Sequence, residues 1–291
     1  LSNPQGRAIA EGTADFVALF VTLRPEDVHN PWNSNWQGTY AVGGYVAAPS
    51  TDVPSYYGLR RYPYSADFTK NPLVFDHVVR GARILSDAPS QALGLDNTNP
   101  HAAGELWANA LHEAYTALLR AHPFEEARER MGRYLVGMLA LLPLSPTFAE
   151  ARDALVAMAH VIDPSDGQRI VAALAKRGLG ANAGAIPRLS SDFVGATSNT
   201  TFFPTRLVST RISDTCEGDE RLDVGRTAQV EVTFETTLPA DASSVSVSAL
   251  PGDASVSFQS GTSFTVPSLA LGQRATVVVP VRVDAAPSAA T

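Results

Sequence analysis

The period of the apolar residues changes near residue 200, and this change limits the chain to two differently built parts. Upstream, Ala, Leu and Arg recur at helical spacing; downstream, Val, Thr and Ser alternate. A helical period buries one stripe of a cylinder, whereas a period of two sends successive side chains to opposite faces of a strand, so one element type cannot serve both. The spacing predicts a mainly α-helical domain over residues 1–185, then an all-β antiparallel sandwich over 205–285 as an accessory domain. Residues 186–204, with a Gly-, Ser- and Thr-rich run, read as the linker, and 285–291 as the start of another. A total of 291 residues suits two domains.

Helical spacing is plainest from His101 to Ala121. There Leu106, Ala110, Ala114 and Ala117 fall on one face, and Trp107, Leu111, Tyr115 and Leu118 widen it enough to predict burial on more than one side. Further helices are predicted from Arg7 to Leu23, from Glu125 to Leu142, from Ser145 through Ala159, and from Pro164 to Arg177. Pro143 helps to stop the second of these, and Gly178 and Gly180 close the last. Pro72 to Leu85 reads as one more helix, Gly38 to Ala48 as short strand-like pieces, and Asn30 to Gln37 as a loop carrying two tryptophans. Strands are predicted over Ala228–Phe234, Val245–Ser248 and Val277–Val283, with turns at Pro251-Gly252-Asp253 and Leu271-Gly272-Gln273.

Charge and composition remove several function classes. A net charge of −7 with an isoelectric point near 5.4 argues against nucleic acid as a partner. No apolar run approaches the ~18–20 residues of a membrane-spanning helix. Cys216 is the single cysteine, so the chain holds neither an internal disulfide framework nor a cysteine-built zinc site. His112-Glu113-Ala114-Tyr115-Thr116 comes nearest to a zincin motif, but Thr stands where a second imidazole, one helical turn along, would have to reach the same ion. His112 and Glu113 are therefore expected on ordinary helix surface.

In Ala10-Glu11-Gly12-Thr13-Ala14-Asp15-Phe16 two acids sit four residues apart on one helix face. Their neighbours Ile9, Phe16, Val17, Leu19 and Phe20 suggest a buried helix, where unpaired carboxylates are costly. An acidic pair favoured by the helix dipole and a functional pair both fit this spacing. A glycosidase-type pair does not, because acids one turn apart do not flank a substrate. His101 follows the turn Asp96-Asn97-Thr98-Asn99-Pro100 and opens the long helix, where an exposed first-turn histidine and a functional one both fit.

Ordered blocks across roughly residues 1–183 resemble the fungalysin-type, thermolysin-like zinc metallopeptidases. Leu1-Ser2-Asn3 resembles the segment directly after the family's His-Glu-x-x-His-Gly motif, and Ala10 to Phe16 resembles its Gly-Glu-Gly-Trp-Ser-Asp-Phe block. Arg60-Arg61-Tyr62-Pro63-Tyr64-Ser65, Lys70-Asn71-Pro72-Leu73, His101 to Asn109, Ser145 to Phe148, Ala151 to Ala154 and Ala175 to Gly180 follow in order. The resemblance implies the mainly α-helical C-terminal lobe of a thermolysin-like catalytic domain, from a bacterial protein that is secreted or held at the cell surface. It implies protein or peptide substrates and hydrolysis by zinc-activated water. Glu11 resembles the third zinc ligand, and Asp15 the acid that holds a ligating imidazole in its tautomer. His101 resembles the donor to the tetrahedral oxyanion, and Asp96 the acid that orients it. Tyr64 and Arg61 lie in a matching block, where a substrate-facing role and a packing or loop-anchoring one both fit, and Glu105 reads as structural.

The family's two zinc histidines and its general-base glutamate are not in this sequence, and Gly12-Thr13-Ala14 stands in place of Gly-Trp-Ser. One catalytic zinc ion would need ligands upstream of Leu1, and the chain alone is expected to be inactive, since three protein ligands are the rule. The sequence opens on Leu1 rather than Met, which reads as processing or as a piece of a longer chain. Without its upstream neighbour the first helix is expected to leave apolar surface exposed near Ile9, Phe16 and Phe20 and to be of low stability. Asp214 to Gly225 resembles the entry of bacterial cell-surface β-sandwich modules. Asp214, Asp219 and Asp223 are candidate calcium ligands there, with a plain acidic turn as the competing reading. The competing reading for the whole chain is a non-catalytic relic whose β-sandwich serves adhesion or partner binding.

Overall fold

The computed structural model describes residues 3–48, 54–84, 96–201, 205–214, 224–236, 243–246, 256–260, 263–266 and 273–284. It divides into two units, Leu1–Phe202 and Phe203–Thr291. Four of the five long helices described in the first unit start where the sequence offers a proline at the first turn or a capping side chain. Helix α1 (Pro4–Thr22) is capped by Asn3, which accepts from the Gly6 amide. After the short helices α2 (Gly44–Ala47) and α3 (Pro54–Tyr57), the long α4 (Pro100–Ala121) is capped by Asn99. Helix α5 (Phe124–Leu141) follows Pro123; α6 (Phe148–Ile162) opens with the reciprocal Thr147–Glu150 capping box. Asp163 caps α7 (Pro164–Lys176), which ends at Gly178 with φ +86°. The Gly178 and Leu179 amides donate to Ala175 and Leu174 carbonyls there, a closure that requires the left-handed residue.

Helix α4 is the centre of this unit. Its residues from Ala102 to Thr116 are buried on every side, as the broad apolar stripe predicts, and α1 and α7 pack against it. Helices α1 and α4 meet backbone to backbone. A Cβ added to Gly12 would lie 2.3 Å from the Gly104 carbonyl oxygen, and one on Gly104 would lie 2.9 Å from the Ala8 oxygen and the Gly12 nitrogen. The start of α1 is tied to remote chain. Asn3 Nδ2 donates to the carbonyls of Pro146 (2.8 Å) and Arg188 (3.1 Å), Gln5 Nε2 to those of Ile186 and Pro187, and Gln5 Oε1 accepts from the Phe148 amide.

Several expectations need correction. Of the helix expected from Pro72 to Leu85, the described residues 72–84 form only a single 3₁₀ turn, Phe75–Val78, because their backbone is drawn to partners outside the segment: the Phe75 amide donates to the Arg177 carbonyl and the Arg80 amide to the Asp192 carbonyl. In Gly38 to Ala48 the strand-like pattern yields one isolated bridge, Tyr40 to Tyr64, and then turns into α2. The linker expected from residue 186 is packed onto the helical unit as far as Ala196, with Ile186, Phe193 and Ala196 in its core. His112 and Glu113 are buried, at 1% and 2% exposure, rather than on the surface. The broad face of α4 leaves no surface at those positions, and Glu113 is neutralised by Arg177 (2.6 Å) and Lys176 (2.7 Å). Ile9 and Phe16 are themselves buried and Phe20 is half-buried, and the exposed apolar surface expected near them is made by Ala10, Ala14, Val17 and Val21.

The second unit contains strands β1 (Thr205–Asp214), β2 (Thr227–Thr236), β3 (Ser243–Ser246), β4 (Val256–Phe258), β5 (Ser263–Val266) and β6 (Arg274–Val283). They form a four-stranded antiparallel sheet in the order β1-β2-β6-β4 and a separate antiparallel pair, β3-β5. Alternation along β6 buries Val277, Val279, Val281 and Val283, and Ala228, Phe258 and Phe264 join Val277, Val279 and Val281 in a small apolar cluster. Cys216, Asp219 and Asp223, together with the Asp214 side chain, lie outside the described residues, as do 285–291.

Candidate functional site

The contact between Gly12 and Gly104 brings together two side chains from distant parts of the sequence. Glu11 precedes Gly12 on α1, and His101 lies one turn before Gly104 on α4. With no Cβ at the crossing the helices close enough for His101 Nδ1 to stand 3.2 Å from Glu11 Oε2. Both side chains remain open to solvent, at 49% and 43% exposure, so a ligand can approach either. Asn99 holds the His101 amide at the helix start.

One turn further along α1, Asp15 is buried and heavily bonded. It accepts from Arg60 Nε (2.6 Å) and Nη2 (2.9 Å), and from the Tyr64 hydroxyl (2.5 Å). Burial first, and then the Asp15 charge, push the Tyr64 phenol well above its ordinary value, so it stays protonated and donates. Burial pulls the Arg60 guanidinium down, but its hydrogen bonds to Asp15 win and leave it raised. Of the roughly four acceptor positions of a carboxylate, three are in use. The pairing that buried acids require is therefore present at Asp15, supplied by an arginine that sequence reading had not singled out. The signal was available in the Arg60-Arg61 pair: two adjacent arginines in an otherwise apolar-aromatic stretch reach two buried acids.

The second of those acids is Glu105. Arg61 Nε donates to it at 2.8 Å, and the Arg61 amide at 3.0 Å, while the other guanidinium nitrogens go to Asn97 Oδ1 and the Ala102 carbonyl. Desolvation raises the Glu105 pKa, and the Arg61 charge and hydrogen bonds oppose it. Arg61 is 4% exposed and fully engaged, so it anchors the 60–64 segment to the first turns of α4; Tyr64, at 1%, is likewise interior. Neither is open to a substrate in this chain.

Asp96 is placed differently from expectation. Its Oδ1 accepts from the Thr98 amide and hydroxyl, which hold its carboxyl below the usual range, and Oδ2 faces Arg80 at 3.3 Å. It shapes the turn into α4, and the carboxylate beside the His101 imidazole is Glu11 instead. A short polar residue two positions before a backbone amide bonds that amide more readily than a side chain five residues on.

The donor set can be tested against a metal. Glu11 offers one half-exposed carboxylate, and among the described residues no group of three His, Cys, Asp or Glu side chains could hold an ion. These described residues alone do not complete a zinc site. Among the described residues no helix is long and apolar enough to cross a membrane.

The family model described as fungalysin metallopeptidase (M36) matches residues 1–183. Among curated proteins, an extracellular metalloproteinase of Aspergillus terreus is 30% identical over 198 residues, covering 63% of this chain and 26% of the relative. Extracellular metalloproteinase 1 of Arthroderma otae is 30% identical over 197 residues, covering 63% and 27%. A third, from Leptosphaeria maculans, is 28% identical over 207 residues, covering 66% and 28%. The chain thus spans about a quarter of the length of these relatives. They are fungal, so the expected bacterial source has no support from them.

Proposed function

Because the chain belongs to the fungalysin (M36) metallopeptidase family, we propose that it is the C-terminal lobe of the catalytic domain of a secreted zinc metalloendopeptidase. The observation that carries this reading is the Glu11–His101 pair, half-exposed and in contact at a crossing where glycine faces glycine. Glu11 supplies one of three protein ligands to zinc, and the other two come from chain upstream of Leu1. When bound there, zinc supplies Lewis-acid chemistry and an acidified water. The free acceptor position of Asp15 takes the N–H of an upstream ligating histidine and fixes its tautomer, with Arg60 and Tyr64 holding the carboxylate in place. The His101 imidazole donates to the oxygen of the peptide carbonyl as it gains negative charge. Asp96 acts on the turn that positions His101, rather than on the imidazole.

An apolar groove of about 740 Å³ runs along the neighbouring face of α1, lined by Ile9, Ala10, Thr13, Ala14 and Val17 and by Leu139, Leu142, Pro143 and Leu144 at and after the end of α5. Leu144 is 92% exposed there. The upstream part of the catalytic domain covers this surface in the complete enzyme, and without it the chain is inactive. The second unit is an accessory β-sandwich, attached C-terminally.

The test is zinc content and casein hydrolysis of the reading frame extended upstream of Leu1, with and without chelator. Zinc near one per chain, lost with activity in Glu11→Ala, supports the reading. His101→Ala should keep the zinc and lose most of the hydrolysis. A folded product with neither zinc nor hydrolysis would reject it and turn attention to the β unit.

A further inference from the structure

Residues 27–40 form a second concavity, remote in sequence from the Glu11–His101 pair and unused by the proposed chemistry. It has a volume of about 220 Å³ and is lined by Asp27, Asn30, Trp32, Asn33, Thr39 and Tyr40 together with Gly38. Pockets for drug-sized ligands run to ~300–1,000 Å³, so this one suits a single ring. All six named side chains carry a polar group, and Trp32, 83% exposed, adds an aromatic face beside the others.

The loop is held rigidly. Asn33 is buried, with Nδ2 donating to the Asp27 carbonyl (3.1 Å) and the Tyr40 hydroxyl (2.6 Å) and Oδ1 accepting from the Gly38 amide (2.6 Å). Asn35 and Trp36 both adopt left-handed backbone, φ +56° and +59°, a conformation that side chains disfavour. Arg120 retains it by donating twice to the Asn35 carbonyl, and the Trp36 ring stacks on Phe124 at 5.8 Å. The turn thus buries one tryptophan as an anchor and presents the other to solvent. Rigid presentation of an aromatic face reduces the entropy cost of binding.

We infer that this concavity is a binding site for one neutral pyranose unit, whose C–H face stacks on Trp32 while its hydroxyls bond Asp27, Asn30 and Tyr40. The lining contains no cationic side chain, which disfavours an anion. It contains mostly hydrogen-bonding groups, which suit hydroxyls better than the alkyl shell of a quaternary ammonium ion. Burial pushes the Tyr40 phenol up to about 12, and its oxygen already accepts from Asn33, so its proton is the one offered to a ligand. Asp27 Oδ2 is turned to the Arg24 amide at 3.0 Å, leaving Oδ1 as an acceptor. The sugar can be free or part of a protein-linked glycan; the chemistry recognised is the same.

The experiment uses the intact protein, titrated with glucose, mannose, galactose and N-acetylglucosamine to roughly 50 mM, near the weak end of measurable affinity. Binding is read by tryptophan fluorescence and by saturation-transfer NMR. A glycoprotein before and after enzymatic deglycosylation forms the second arm. Saturable binding of at least one sugar, or of the glycosylated partner only, supports the site if Trp32→Ala weakens it at least about tenfold and Asp27→Asn also weakens it. Trp32 is exposed, so Trp32→Ala should melt with the parent protein and the loss cannot be assigned to unfolding. No saturation in either arm, binding that survives Trp32→Ala, or tetramethylammonium binding in place of sugar overturns the inference.

Discussion

His112 offers a sharp test of the helical unit's interior. It is 1% exposed, both ring nitrogens lack a hydrogen-bond partner, and its ring meets Tyr40 edge-on at 5.2 Å. Burial first, then the positive charges of Arg177, Arg120 and Lys176, push its pKa down to about 3 from its ordinary 6.5. The native state therefore keeps the imidazole neutral where the unfolded chain takes up a proton. Stability is unaffected above about pH 6.5, falls by up to ~1.4 kcal/mol per pH unit below it, and levels off only near the folded value. Across the whole interval the cost is about 5 kcal/mol, and between about pH 6.5 and 5 it is about 2 kcal/mol. Carboxylate titration intrudes below that window. The assay is urea denaturation at about pH 7, 6 and 5 for the parent protein and His112→Phe, a variant that keeps a ring against Tyr40. All three tryptophans, Trp32, Trp36 and Trp107, lie in the first unit, so their fluorescence reports its unfolding alone. His77, also lowered, by burial, titrates in both proteins and cancels in the difference. The parent should lose about 2 kcal/mol relative to His112→Phe on going from pH 7 to 5. Parallel pH profiles would refute the reasoning, because they would mean that His112 is protonated in the native state or reached by water.

Two further outcomes follow from the packing. Gly12→Ala should destabilise by about 1–3 kcal/mol or more by chemical denaturation, since its Cβ would meet the Gly104 backbone at 2.3 Å and force α1 and α4 apart. In the zinc-loaded full enzyme the same variant should weaken metal retention, by moving Glu11. Arg61→Met should cost about 3–5 kcal/mol, because Glu105 would be left buried with its charge unmatched. The double variant Arg61→Met with Glu105→Leu should recover much of that loss, and an unchanged deficit would show that packing rather than charge was at stake.

How much of this was legible in the sequence depends on whether the deciding interaction is local. The long helices were readable because period, proline and caps act within one segment: α4 and α7 begin at Pro100 and Pro164, within a residue of expectation. Strands β2, β3 and β6 were readable for the same reason, whereas β1, β4 and β5 were not singled out. Pro72 to Leu85 was not, because its amides answer to Arg177 and Asp192, which are remote in sequence. The burial of Glu113 depends on Arg177, 64 residues away, and spacing within α4 carries no sign of it. At the candidate site the ordered blocks nominated Glu11, Asp15 and His101, but the partners of each required the fold. Arg60 takes Asp15, Glu11 meets His101, and Asp96 is claimed by the nearer Thr98.

The tether at the start of α1 has a consequence for synthesis. Asn3 and Gln5 are among the first residues of this segment to leave the ribosome, yet their side chains are satisfied by carbonyls of Pro146, Ile186, Pro187 and Arg188. At ~5–20 residues per second those partners emerge roughly 10–40 s later. For that interval α1 has its Gly6 amide capped but its other polar groups open, and its apolar stripe waits for α4. The nascent lobe is thus closed by the last stretch made, and a chain stopped before residue 186 would fasten the base of the helix that carries Glu11 only through Pro146 and Phe148.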